Sequence, residues 1–580
     1  MRILETKKQI AIIGGGPSGM FLYKRLLEYA GEDFTVDIFE AKEKLGNGMP
    51  YSNQGANIEH ITNVSGNEIP PLVTPVVEWV TSLPEDTLKK YSIDVNKLTE
   101  FMVLPRLLFG DYLSAQFDLL QQKASVAGVK TFVHLNSKIT DVIDVPGRSK
   151  VIIEIGGKDT WEFDHVIICT GHNWPLTHEG KVPGYFDSPY PPSKLKIRIE
   201  HEIAIRGSSL TAIDAIRTLA RHNGVFVEEG PHKLSFAPNE DAQNFKIIMH
   251  TREGLLPGIR FHLDDPRLSN DSLLSKEDIL CHMQENNGFL SLDFIFEKDF
   301  KNSFRDKDPQ FYERLKDLSI EEFVCAVMGM RERADPFQLF KAEYAEAKKS
   351  IQRRESVYWK EMLAVLSFAM NYPAKHFTAE DMRRLQKVLM PLISIVIAFV
   401  PQSSCEELIA LHDAGRLELI PVGEDSHIEV CTEGGIVYHY IDEDGDNKQK
   451  KYKSYVDCVG QRHLSLEEFP FQSLVRNGTI SPARIKFNSA ENALSLYNSG
   501  DKDVEPGHDN HYYLKVPGIA ITDTFRAIEK SGNHNPRIYV MAVPYIGGYN
   551  PDYSGLDFCE EASNLIVSDM FQEENWKRVV

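Results

Sequence analysis

The chain has 580 residues, 42% apolar and 26% charged, the balance of a globular protein and not of a disordered or collagen-like one. Lysine and arginine number 64 against 84 aspartates and glutamates, and the resulting charge of −20 argues against general binding of phosphate backbones and reads as solubility. At about 150 residues per unit, the length allows roughly four domain-sized units.

The first predicted element is a strand, Gln9 to Ile13, running into Gly14-Gly15-Gly16-Pro17-Ser18-Gly19. A helical pattern follows, with Met20, Leu22, Leu26 and Leu27 apolar, then a second strand, Phe34 to Phe39, ending at Glu40. Strand, GxGxxG, helix, strand and acid in this order form a dinucleotide-binding fingerprint. Gly14 allows the tight turn, Gly16 lets backbone approach a pyrophosphate, and Gly19 packs helix on strand. The helix N-terminus stabilises phosphate charge, and Glu40 accepts from a ribose hydroxyl.

A strand over Lys130 to Leu135, a hairpin-rich stretch and the apolar strand before Cys169-Thr170-Gly171 close this first unit. A weaker echo begins at Ile203. That strand leads into Gly207-Ser208-Ser209 and a helix through Ile213, Ala215, Ile216 and Leu219. Ser209 replaces the middle glycine, and its side chain is expected to hold a dinucleotide further off. Leu417 to Ile420, a meander, and the strand before Cys458-Val459-Gly460 repeat the closing unit. Asp264 to Met390 fits neither repeat and reads as a charged helical insertion with a cap or interface role. The C-terminal part offers a strand over Arg537 to Ala542, a turn-rich stretch and a final helix over Asp557 to Phe571. The expected fold is α/β: two Rossmann-like dinucleotide-binding domains, the second inserted into the first, plus the helical insertion.

Seven cysteines, at 169, 281, 325, 405, 431, 458 and 559, form no CxxC pair, so neither a zinc site nor a disulfide framework is expected. Reduced cysteines and a polar start without a signal-like stretch fit a cytoplasmic protein. The most apolar run, Leu389 to Val400, is too short to cross a bilayer, so no membrane partner is expected. No His/Cys/Asp cluster has metal-site spacing, and no GxSxG elbow suggests a hydrolase.

Further stretches extend the pattern: Gly46 to Tyr51, Ile61-Thr62-Asn63, Leu104-Pro105-Arg106, Phe109 to Leu113, Ser188 to Pro191, Gly207 to Asp214, Arg252 to Pro257, Val400-Pro401-Gln402 and Val459-Gly460-Gln461. With these the chain resembles, over nearly its whole length, the FAD/NAD(P)-binding two-dinucleotide-fold flavoproteins. That family is urate hydroxylase-like and distantly related to flavin-dependent N-hydroxylating monooxygenases. The resemblance implies an FAD-binding first part over 1–195 and 451–580, an NAD(P)-binding-like part over 196–263 and 391–450, and the insertion over 264–390.

It places FAD on Gly14, Gly16, Pro17, Ser18, Gly19, Glu40, Arg106, Thr170, Gly171, Asp552, Gly555 and Leu556. It puts Tyr51, His60 and Asn63 near the flavin, with no residue singled out as catalytic acid or base. NADPH (or NADH) falls to Gly207, Ser209 and Arg252, where a basic residue favours the 2′-phosphate of NADPH. The implied activity is that of an FAD-dependent oxidoreductase, an NAD(P)H-dependent monooxygenase hydroxylating a small molecule through a reduced-flavin/oxygen adduct. The alternatives are a flavin dehydrogenase or oxidase without direct NAD(P)H use, and a non-enzymatic nucleotide-sensing flavoprotein that binds a partner. Substrate and oligomeric state stay open.

Overall fold

The computed structural model describes residues 7–31, 33–172, 174–230, 233–263, 273–371, 373–549 and 555–579. In chain order, the first unit begins with strand β1 (Lys8–Ile13), helix α1 (Pro17–Leu27) and strand β2 (Phe34–Phe39). Helix α2 (Arg106–Ala127), strand β3 (Lys130–His134) and strand β4 (His165–Ile168) follow. Strands β5 (Tyr185–Phe186) and β6 (Glu202–Arg206), helix α3 (Leu210–Asn223) and strands β7 (Lys246–Thr251), β8 (Leu417–Pro421) and β9 (Ser454–Asp457) build the second unit. The chain then returns to the first unit through β10 (Arg526–Ile528), β11 (His534–Val540) and helix α4 (Gly555–Val579).

The first sheet has the order β10-β11-β4-β1-β2-β3, and the second β5-β9-β6-β7-β8. Only the β10–β11 pair is antiparallel. Parallel sheets need helices on their faces, so their strands read as apolar runs and not as alternating ones. β1 obeys this: Ile10, Ala11 and Ile12 have no exposed surface. Each sheet also carries an antiparallel meander before its closing strand. These are Ile139–Val145, Lys150–Ile155 and Asp159–Phe163 in the first unit, and His427–Val430, Ile436–Ile441 and Asn447–Tyr452 in the second.

One boundary differs from the sequence reading, which ends the second unit at 450. β9 pairs with β6, Ala204 facing Tyr455, so the second sheet extends to Asp457. Its short apolar run does not reveal which of two similar sheets it joins.

The stretch after 273 is helical, with helices over Ile320–Glu332, Pro336–Arg353 and Tyr358–Asn371. Its core is shared. Leu363 and Leu366 join the first unit's apolar cluster, while Phe337 and Phe340 join the second's. Lys375 pairs with Asp523 at 2.8 Å and Arg383 with Asp501 at 2.8 Å, tying it to the C-terminal part. No helix among the described residues is long and apolar enough to cross a membrane.

Candidate functional site

β1 ends at Ile13, and the chain turns into α1 through three glycines. Gly14 has φ +108°, and a Cβ there would lie 2.6 Å from the Cys169 carbonyl oxygen, so both conformation and space require glycine. Gly16 is extended, but its Cβ would lie 3.2 Å from Cα of Gly48. Pro17 opens α1, where a missing N–H costs nothing, and no side chain caps the helix. Its first amides are therefore left for a ligand.

This turn rims a cleft of about 530 Å³ along the carboxyl ends of β1, β2, β4 and β11. Of the residues expected around FAD, Gly14, Gly16, Pro17, Ser18, Glu40, Tyr51, Thr170, Gly171, Gly555 and Leu556 line it. Gly19 packs beneath, against the Gly14 carbonyl. Glu40 follows β2, and its carboxylate accepts from the Gly15 N–H at 2.8 Å and the Lys42 N–H at 2.9 Å. Thr170 follows β4, and its Oγ1 is sealed from solvent without a hydrogen-bond partner. Asp552 lies outside the described residues.

Tyr51 packs edge-on against Phe109 with ring centroids 5.0 Å apart. Burial pushes its hydroxyl up to about 12, so it remains a proton-bearing donor at neutral pH. Cys559, on the first turn of α4, meets the Ser18 hydroxyl at 3.4 Å, and burial pushes its thiol up to about 12 as well. Both groups stay neutral, which suits contact with a cofactor and not nucleophilic attack.

The structure corrects three assignments. Arg106 does not line the cleft. It opens α2 and directs its guanidinium away, to Asp214 of α3 at 2.5 Å and to the Ile61 carbonyl at 3.1 Å. The Tyr190 hydroxyl donates to the same Asp214 oxygen at 2.8 Å. Burial alone would raise the Asp214 carboxyl. Arg106, His60 and the two hydrogen bonds reverse this and hold it below the usual range. His60 has no exposed surface and no place in the cleft. Its Nε2 lies 3.1 Å from both the Asp214 carbonyl and the Thr218 hydroxyl, and burial lowers its pKa. Asn63 gives its carbonyl to Arg260. All three belong to the interface between the units.

That interface is charged in both directions. Arg106 of the first unit meets Asp214 of the second, and Arg260 of the second meets Glu68 of the first. Burial of a charge is tolerated only with such a partner.

Sequence reasoning missed other cleft residues. Lys42, Lys44 and Lys138 bring positive charge near Glu40, and Met49, Phe471, Tyr545 and Phe558 supply apolar walls. His172, which directly follows the Thr170-Gly171 turn, lies at the mouth of the cleft and donates from Nδ1 to Gln461 Oε1 at 2.7 Å, linking the ends of β4 and β9. The repeated Cys-x-Gly ends were the signal for that link. Nothing local marks Phe471 or Tyr545. In the second unit, Gly207 and Ser209 follow β6, and Arg252 follows β7. Among the described residues no cluster suits a metal ion.

A glycine turn at a strand end, an acid at the next strand end and an unpartnered hydroxyl between them fit FAD. The fold is that of two dinucleotide-binding units, and residues 11–173 match the family model described as FAD-NAD(P)-binding. Residues 275–397 match a second model, the YdhS-like middle domain. The chain is similar to the uncharacterized protein YdhS of Escherichia coli (strain K12), 26% identical over 567 residues and 97% of each chain. Among solved structures it is similar to DfoA bound to FAD, a cadaverine monooxygenase of desferrioxamine biosynthesis from Erwinia amylovora, at 10% identity, covering 98% of this chain and 95% of that one, TM-score 0.46. It is also similar to the bacillithiol disulfide reductase Bdr (YpdA) from Staphylococcus aureus, at 10% identity, covering 98% and 99%, TM-score 0.41.

Proposed function

We propose that the chain is an NAD(P)H-dependent flavoprotein monooxygenase acting on a small molecule. The observation that carries the flavin part is the buried, unpartnered Thr170 hydroxyl in a cleft rimmed by the Gly14–Gly16 turn and Glu40. The first amides of α1 would take the pyrophosphate, Glu40 a ribose hydroxyl and Thr170 a further polar atom. FAD, when bound, supplies two-electron redox chemistry, and the protein supplies position and electrostatics.

The chain's own residues then have distinct tasks. Met49, Phe471, Tyr545 and Phe558 exclude water from the cleft. Amides at the head of α4, Gly555 and Leu556, stabilise negative charge placed before them. Tyr51 holds its proton and donates a hydrogen bond. The monooxygenase reading is supported by the resemblance of the Gly46–Tyr51 loop, which lines the cleft, together with these apolar walls. The test is a visible spectrum of the purified protein, taken anaerobically, then with NADPH, then with oxygen and a panel of small amines and heterocycles. We expect flavin absorbance, bleaching by NADPH, and oxygen uptake that yields hydroxylated product. A protein that stays colourless after FAD addition overturns the flavin reading. Bleaching followed only by hydrogen peroxide release, with every panel member unchanged, overturns the monooxygenase reading.

A further inference from the structure

We propose that a groove on the first sheet, separate from the cleft, binds a small organic cation with an aromatic or apolar body. The Asp37 carboxylate takes the charge, and Trp161 and Phe132 take the body. The groove stands apart from the glycine turns, so its ligand is independent of the flavin reading.

A strand inside a parallel sheet is covered on both faces and reads as an apolar run. β2 departs from this. It reads Phe34-Thr35-Val36-Asp37-Ile38-Phe39, so Thr35 and Asp37 give one face a polar stretch. In the strand register Gln9 lies beside Thr35, Thr35 beside Lys130 of β3, and Asp37 beside Phe132. These residues floor a groove of about 600 Å³, walled by Trp161 and Phe163 of the first meander. That volume falls in the range of small-molecule sites, about 300–1,000 Å³. Phe39, next on the same face, lines the cleft and stacks on His134 at 4.5 Å. One pair of rings therefore divides groove from cleft.

Asp37 is 7% exposed, on a sheet face where a charge is costly. Its Oδ1 lies 2.8 Å from His134 Nε2, and its other oxygen has no partner among the described residues. Burial raises its pKa, and the bond to His134 offsets only part of that rise. A cation at the free oxygen would complete the pairing that a buried carboxylate needs.

The walls favour the same ligand. Trp161 is 39% exposed and Phe132 50%, adjoining aromatic surface left in water. Aromatic faces attract cations and stack on rings. Two other charges at the groove are already answered, Lys7 by Asp33 at 2.6 Å and Glu162 by Arg148 at 2.7 Å. Lys130 is exposed at the rim, where water and salt screen it, so the buried carboxylate decides the sign of the ligand.

The test is calorimetric titration of the full chain with 2-phenylethylamine, 2-phenylethanol and phenylacetate, which share one ring and differ in charge. We expect the amine to bind about tenfold tighter than the alcohol or more, and phenylacetate to bind weakest. Asp37→Asn keeps the side chain's shape and an acceptor for His134, and should bring amine and alcohol to within about twofold of each other. Trp161→Ala, at a part-exposed position outside the cleft, should weaken both by roughly fivefold. Equal binding of amine and alcohol to the wild type, tightest binding of phenylacetate, or binding of none of the three overturns the proposal. A preference for the amine that survives Asp37→Asn, or an amine affinity unchanged in Trp161→Ala, overturns it as well.

Discussion

The guanidinium of Arg106, at the head of α2, meets the Asp214 carboxylate of α3 at 2.5 Å, with only 14% and 6% of the two side chains exposed. A cation at a helix N-terminus opposes the helix dipole, so the carboxylate is what makes the position tolerable. Removing one partner leaves the other charged and buried. Arg106→Met or Asp214→Leu should each destabilise by about 3–5 kcal/mol in chemical denaturation, and the double variant should recover most of that loss. Equal losses that simply add would show the pair to be uncoupled. Because the Asp214 carboxyl titrates below its ordinary value in the fold, its contribution is complete above about pH 4 and is lost as pH falls through the lowered value.

Thr170→Val should have opposite effects on two measurements. The unpartnered hydroxyl is unfavourable in the protein without ligand, so its removal should raise the melting temperature of the apoprotein. FAD would then lose a partner, and its affinity should fall by about 1 kcal/mol, or several-fold, in a fluorescence titration. A variant that melts lower and binds FAD unchanged would remove Thr170 from the site.

Gly16→Val sets a branched side chain against Gly48, in the space a pyrophosphate needs. The variant should keep its fold by circular dichroism and lose FAD affinity by on the order of tenfold or more. Full flavin content in the purified variant would place the cofactor elsewhere.

His250 is 1% exposed and stacks on Tyr438 at 4.1 Å. Burial lowers its pKa from 6.5 to about 4, and the same holds for His165. Below about pH 6.5 the unfolded chain binds protons that the fold refuses, so stability is complete above that pH and falls toward pH 4. Each histidine should contribute about 3 kcal/mol to that decline. His250→Phe keeps the ring stack and should remove about half of the histidine-dependent fall in melting temperature between pH 4 and 6.5, the rest staying with His165. An unchanged profile would show that His250 does not carry this dependence.

The Gly14–Glu40 half of the cleft was legible because its spacing is dictated locally, by one strand, one turn and the start of one helix. The two-sheet architecture was legible for the same reason. Arg106 and His60 were misread because their partners, Asp214 and Thr218, lie 108 and 158 residues away and leave no local mark. Phe471 and Tyr545 arrive from distant segments and share only the final packing. Ser209 looked like a defect because a motif records residue type, whereas the turn is defined by φ and ψ, −81° and −169° there against −75° and −165° at Gly16.

The chain order of the first sheet sets a timetable for making the protein. β1 is made long before β11, which lies against β4 with Val540 facing Ile168. Gly555, Leu556 and Cys559, which wall the cleft, come later still. Every strand of the second sheet falls between Tyr185 and Asp457, so all of that sheet's strands are made before β10 and β11 complete the first sheet. The cleft is therefore complete only once α4 has been made. A truncated or stalled chain has the glycine turn but no back wall to hold the cofactor.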